Sequence, residues 1–272
     1  FGMTTWAPQT DGDGNPFYQM KHSRFEGIRA THQPSIWIRD YGDFLIQPVV
    51  GAVEGKPKER ASVFSHDREI ARPYLYSVEL ERYDTRLELT PSERCAFFRF
   101  GFPDTREAAV IFRLEGELEE EASSGKHRIR GKATHVTFGA PGGFGKYFVA
   151  EFDRAYSGVE VKREGKILTA TIRFEEAKRA RPVAMRIGTS FINHEQAVLN
   201  LGREMPDWDF AAATARSRAA WARELGRVEI KGETPAQRTT FYTALYRSLQ
   251  FPRMFHEPDS EGRLRHYSPF AD

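Results

Sequence analysis

With 272 residues, 40% of them hydrophobic and 13% aromatic, the chain has enough apolar surface to bury a large core. Its 40 basic and 38 acidic residues leave a net charge of +2 and alternate along the chain without a basic block, which argues against nucleic acid and anionic membrane as partners. A lone cysteine, Cys95, excludes an intrachain disulfide and a multi-cysteine zinc site, and no stretch approaches the roughly 18 apolar residues of a membrane helix.

The start, FGMTTWAPQ, has neither the charged nor the apolar part of a signal peptide, and the absence of an initiator methionine fits a mature form or a fragment. From there to about Phe191 the chain reads as β-structure. Runs such as YGDFLIQPVV, YLYSVELERY, RLELT, CAFFRFGFP, AAVIFRLEG, HRIRGKA, HVTFG, YFVAEF, VEVKR, ILTATIRF and VAMRIGTSF recur at short intervals, separated by Gly, Pro, Asp and Ser. VEVKREGKILTATI is a hairpin with Gly165 at its turn. Many strands and few helical patterns predict antiparallel sheets packed face to face, a large β-sandwich over residues 1–192.

Near Asn193 the period changes. Asn193 with Gln196 has the form of a capping box, and EQAVLNLGREM is helical in composition. After Pro206, DWDFAAATARSRAAWARELG predicts a second helix closing at Gly226, so that 193–226 reads as a helical linker. RVEIKG predicts a short strand. Thr234, Pro235 and Gln237 then supply an N-cap, a proline at the first helical position and a capping-box partner, with Phe241, Leu245, Ser248 and Leu249 on one helical face. One amphipathic helix cannot bury its own stripe, so 227–272 reads as the incomplete start of a second, helical domain.

Several motifs fail on inspection. DGDGN at Asp11 to Asn15 resembles the front of a calcium loop, but Pro16 stands where the glycine belongs and His22 where the bidentate glutamate belongs, leaving a polar turn. GAPGGFGKY at Gly139 to Tyr147 fails as a phosphate loop, with Ala140 at the first glycine position and Tyr147 in place of Ser or Thr. Cys95, within CAFFRF, reads as a buried strand residue. Neither G-x-S-x-G nor H-E-x-x-H is present.

The stretch THQPSIWIRDYGDFLIQP, from Thr31 to Pro48, stands out. Pro34 enforces an extended approach, Trp37 offers a flat face suited to stacking on a sugar, and Asp40 and Asp43 flank a Tyr-Gly turn that could present acceptors. A core tryptophan beside a solvated Arg39–Asp40 pair explains the same residues equally well.

THQPSIWIRDYGDFLIQP, SRFEGIRA, FSHDREIARPYLYSVELE, LTPSERCAFFRFGFP, RIGTSFINHEQA, FYTALYRSLQFPRMFHE and RLRHYSPF, in this order, together resemble glycoside hydrolase family 92, exo-acting α-mannosidases. The resemblance implies an N-terminal β-sandwich, a helical linker and a C-terminal (α/α)6 barrel, with the sugar pocket between the domains. It implies removal of terminal α-linked mannose, as from N-glycans, with inversion and with a calcium ion that distorts the sugar. An inverting enzyme sets an acid and a base roughly 6.5–9.5 Å apart. In this family both carboxylates and most calcium ligands come from the barrel, so no catalytic or metal-binding residue is expected within 1–272. What is expected is a share of the sugar pocket: Trp37 as the substrate-contacting residue, with Arg29, His32 and Asp40 bonding sugar hydroxyls or supporting the loop. Asp40 and Asp43 are too close in sequence to face each other across a sugar ring. The implied partners are mannose-containing glycans and the chain's own (α/α)6 domain, and the implied location is periplasmic or extracellular. The alternative is a stand-alone carbohydrate-binding or interaction module without hydrolytic activity.

Overall fold

The computed structural model of the chain describes residues 2–11, 18–32, 42–121, 123, 125, 127–134, 144–232, 234–250 and 254–268. Among these, fourteen strands form one continuous antiparallel sheet. In chain order they are β1 (Thr5–Thr10), β2 (Arg24–Thr31), β3 (Phe44–Val50), β4 (Ser62–Val63), β5 (Ile70–Arg72), β6 (Leu75–Leu80) and β7 (Thr85–Pro91). There follow β8 (Cys95–Gly101), β9 (Ala108–Glu120), β10 (Arg128–Ala133), β11 (Lys146–Phe152), β12 (Gly158–Glu164), β13 (Ile167–Phe174) and β14 (Val183–Ser190). Three helices come next, α1 (His194–Glu204), α2 (Phe210–Leu225) and α3 (Pro235–Ser248), and then a small hairpin of β15 (Glu257–Pro258) and β16 (Leu264–Arg265).

The sheet curls into two facing layers, and β9 is the strand that belongs to both. Its first part, from Ala108, pairs with β3 on one side and β13 on the other; its last part, from Gly116, pairs with β10. The change occurs at Gly116, whose φ of +138° and close approach to the Lys132 carbonyl, 2.0 Å from where a Cβ would lie, admit only glycine. One layer is then β12-β13-β9-β3-β2-β1, and the other β9-β10-β11-β14-β8-β7-β6-β5.

Between the layers lies the main core. Phe44 packs on Phe148 at 4.6 Å between ring centroids, Phe112 stacks on Phe148 at 5.7 Å, and Trp6 meets Phe98 edge-on at 5.5 Å. β8 shows why CAFFRF is apolar without alternation: Ala96, Phe98 and Phe100 enter this core, while Cys95 and Phe97 join Leu201, Met205, Phe210 and Ala213 in a second cluster beneath α1 and α2. Both faces of that strand are covered. Burial pushes the Cys95 thiol well up, consistent with a packing residue and not a nucleophile. At the free margin of the first layer, β12 exposes Glu160 to Glu164, charges that discourage pairing with another chain.

The large β-sandwich followed by helices is as expected, and the Gly165 hairpin forms with φ of +61°. β1 and β2 extend the sheet beyond the runs singled out in the sequence. RVEIKG is a correction: residues 227–232 form no strand, and no described strand pairs with their backbone groups. HVTFG, most of the 139–147 glycine cluster and the DGDGN segment beyond Asp11 lie outside the described residues.

Helix caps follow the sequence closely. Asn193 Oδ1 accepts from the Gln196 N–H at 2.8 Å, Asp209 Oδ1 from Ala212 at 2.9 Å, and Thr234 with Gln237 makes both bonds of the capping box. Gly226 caps α2 in right-handed geometry, φ −75°, donating to the Ala222 and Glu224 carbonyls without a left-handed turn. α1 lies directly on β14, where a Cβ on Gly188 would sit 2.5 Å from the Ala197 carbonyl and 2.8 Å from Leu201 Cβ. Gly188→Ala is therefore expected to lower stability by about 1–3 kcal/mol through a forced shift of α1, read as a lower denaturation midpoint with an unchanged m-value. α3, by contrast, buries none of its side chains and meets α2 chiefly through Trp221 and Tyr246, whose rings lie 5.0 Å apart.

Candidate functional site

The segment singled out in the sequence leaves β2 at Thr31 and re-enters the sheet at β3, adjacent strands paired Ala30 to Phe44. Trp37 and Asp40 lie outside the described residues, and Arg29, His32, Gly42 and Asp43 root the two ends of the segment.

Arg29 is on β2 and Asp43 is the last residue before β3, so strand pairing brings them together across 14 residues of chain. Arg29 Nη1 donates to Asp43 Oδ2, and Nε and Nη2 donate to Gln9 Oε1 at 3.0 and 2.6 Å. Gln9 in turn donates to Glu26 at 2.5 Å. With Asp43 buried and the Arg29 side chain 20% exposed, this pair is a clamp across the base of the segment and is worth more than a solvated surface pair. Gly42 completes it. Its φ of +65° is left-handed, and a Cβ there would lie 2.4 Å from Lys146 Cβ, so the turn rests directly on the start of β11.

His32 is 1% exposed. Its Nδ1 donates to the Met3 carbonyl at 2.6 Å, and its ring meets Phe191 edge-on at 5.0 Å and Phe255 at 4.3 Å. Phe191 stacks on Phe144, which stacks on Tyr267 at 5.8 Å. Lys146, fully buried, brings Nζ to 5.5 Å from the Phe191 ring centre, a favourable placement for an ammonium. The rings that hold His32 thus come from the end of the sandwich and from the segment following α3.

That segment is anchored by Glu257, which sequence reading passed over. Fully buried, it accepts from the Phe191 N–H at 2.8 Å, from Ser190 Oγ at 3.1 Å and from Asn200 Nδ2 at 2.6 Å. Around it Gln196 Nε2 donates to the Pro258 carbonyl, and Arg94, itself paired with Glu204 at 2.8 Å, donates to the His256 carbonyl. Asp259 holds the turn of the hairpin. Despite partial desolvation, donors from Arg265, Arg263 and Glu261 keep its carboxyl well below the usual carboxylate range. The only sign of this seam in the sequence was the inclusion of FPRMFHE and RLRHYSPF among the familiar blocks.

The described carboxylates at this face all have partners within the protein. Asp43 is committed to Arg29 and Glu26 accepts from Gln9, while Glu257 has no solvent access. Among the described residues no three His, Cys, Asp or Glu side chains converge in a way that could hold a metal ion.

Two outcomes are expected. A double-mutant cycle with Arg29→Met and Asp43→Asn, followed by urea denaturation, is expected to give a coupling of about 1–3 kcal/mol, and additivity would show the clamp to be energetically empty. The second concerns pH. Burial pushes the Glu257 carboxyl up, and the three donors only partly offset it. A folded-state pKa above the unfolded one means a contribution to stability that is present below the ordinary carboxylate value of 4.5 and is lost as pH rises through the raised value. Hydrogen exchange at the Phe191 amide, corrected for intrinsic rate, is expected to show easier opening as pH rises above that point.

Comparison with known proteins fits this architecture. The sequence model of the glycosyl hydrolase family 92 N-terminal domain matches residues 1–190, and that of the family's catalytic domain matches residues 196–272. An inverting mannosidase of the family from Bacteroides thetaiotaomicron is 34% identical and superposes with a TM-score of 0.91, over 99% of this chain and 38% of that one. An α-mannosidase of the same family and organism, 24% identical, shares the fold with a TM-score of 0.80, over 98% of this chain and 41% of the other. An uncharacterized secreted glycosidase of Arthroderma benhamiae is 24% identical across 93% of this chain and 39% of its own length. The chain therefore spans about two fifths of the length of these relatives. With a match that runs through both domain models, in order and over nearly every residue, the chain belongs to glycosyl hydrolase family 92.

Proposed function

We propose that this chain forms the sandwich side of the sugar pocket in a calcium-dependent, inverting exo-α-mannosidase that removes terminal α-linked mannose from glycans. The observation that carries this is the superposition of 99% of the chain, at 34% identity, on an inverting mannosidase. In this reading the acid, the base and most of the calcium ligands lie on an (α/α)6 domain outside residues 1–272. Two features support it: the relatives are more than twice as long, and the described carboxylates at the pocket face are all engaged in holding structure. Trp37 is the sugar-stacking residue of the sandwich, and Asp40 lies on the same segment. Arg29 and His32 support the segment from its ends. A periplasmic or extracellular location accompanies this role, in line with the secreted relative. A free-standing sugar-binding module accounts less well for residues 196–272, which match a catalytic domain.

The test is made on the full-length protein. Terminal α-mannosides are expected to be cleaved with β-mannose as the first anomer seen by NMR, and a chelator is expected to abolish turnover until calcium is restored. Trp37→Ala is expected to lower kcat/KM by about tenfold or more, from loss of ring stacking and of the water exclusion that accompanies it. Residues 1–272 alone are expected to release no mannose. Retention of the α anomer, or full activity in the presence of the chelator, would sink the proposal.

A further inference from the structure

The strand pair β10–β11 has two ends. At one, Ala133 faces Lys146, on which Gly42 rests. At the other, Arg128 faces Glu151. Five residue steps, at about 3.4 Å each, put the second end some 17 Å from the first. There a cleft of about 400 Å³ opens, lined by Glu121, His127, Arg128, Glu151, Asp153 and Trp208. Its size is that of a small-ligand site.

Trp208 lies between α1 and α2 and is 42% exposed, an uncommon position for the largest apolar side chain. It is also held firmly. The Arg186 guanidinium lies 4.1 Å from the ring centre, and Phe97 meets the indole at 82° and 5.9 Å. Trp208 contributes to the cleft wall and Arg186 does not.

The polar wall is close to neutral. Glu151 bridges Arg128 at 2.5 Å and Arg186 at 2.7 Å, Arg128 also reaches Glu121 at 3.2 Å, and Asp153 is paired with Arg154 at 2.7 Å. Arg154 and Arg186 stand outside the wall itself, and with them three guanidinium groups offset its three carboxylates among the described residues, which favours neither an anion nor a cation. Planar groups held rigid by one another still accept more bonds: a carboxylate takes about four, and Glu151 uses two within the protein. A rigid indole beside fixed planar acceptors and donors, with no net charge, suits a neutral polyhydroxylated ring whose C–H face stacks and whose vicinal hydroxyls bond in pairs.

We propose that the Trp208 cleft is a second saccharide-binding site, taking a hexose unit of a neutral oligosaccharide. Such a site would hold a glycan chain against the protein independently of the residues around Trp37.

The proposal is tested on the full-length protein with cellotetraose, maltotetraose and β-1,4-mannotetraose, none of which an α-mannosidase cleaves. Hydrogen–deuterium exchange is expected to show protection by at least one of them in peptides covering 121–128 and 207–210, with binding weakened about fivefold or more in Trp208→Ala. Should that variant disturb α2, Glu121→Gln at the rim is expected to weaken binding of the same sugar with the α2 amides unchanged. Absence of protection in both peptides with all three sugars, or binding indifferent to both substitutions, would overturn it. Failure to hydrolyse α-mannosides would sink the mannosidase reading alone, since none of these probes depends on turnover.

Discussion

Closure of the sandwich depends on a single strand that serves two layers. β9 is long enough to pair with β3 and β13 and then, beyond Gly116, with β10. Without that bend the aromatic faces of β3 and β11 could not oppose each other, and Phe44, Phe112 and Phe148 would have no common core. The bend is possible only where the backbone carries no Cβ, because the Lys132 carbonyl occupies that space. The arrangement of the candidate pocket follows from it, since β2 and β11, which hold Arg29 and Lys146, and the residue entering β3, Asp43, are brought together by the closed layers.

The second dependence is polar. The chain leaves the sandwich through α1, passes α2 and α3, and returns to seat Glu257 beneath Phe191. A carboxylate in such a place is costly unless its oxygens are occupied, and here Phe191, Ser190 and Asn200 occupy them while Arg94 and Glu204 form a neighbouring pair. Such bonds are directional, so they define the position of the returning segment more sharply than apolar contact alone. Phe255 and Tyr267 then reach the aromatic group around His32. The sandwich and the start of the following domain thus share one wall at the place where the sugar pocket is proposed.

Much of the architecture was legible in the sequence because it is local. Alternation in YLYSVELERY or ILTATIRF needs only a two-residue period, and Thr234-Pro235-x-Gln237 states its helix start within four residues. The failures are equally instructive. RVEIKG has the composition of a strand, but a strand exists only with a neighbour to bond, and no described strand pairs with it. Asn193 and Gln196 promised a reciprocal box, yet the Gln196 side chain donates to Asn200 and to the Pro258 carbonyl instead, the latter 62 residues away. Glu257, in a charged and turn-rich stretch, gave no hint of being fully buried.

By itself the sequence determined most of the strands, the helices and their order, the N-caps of α1 and α3, the absence of a disulfide and, through its quoted blocks, the family. These rest on short-range periods, on backbone preferences of single residues and on motifs that can be read without folding the chain. Only the tertiary structure decided that Arg29 clamps Asp43, that His32 sits within an aromatic cage, that Glu257 is a buried anchor and that Trp208 stands over a cleft. Each of these is a meeting of groups distant in sequence, and its energy depends on burial and geometry that exist only once the two layers have closed.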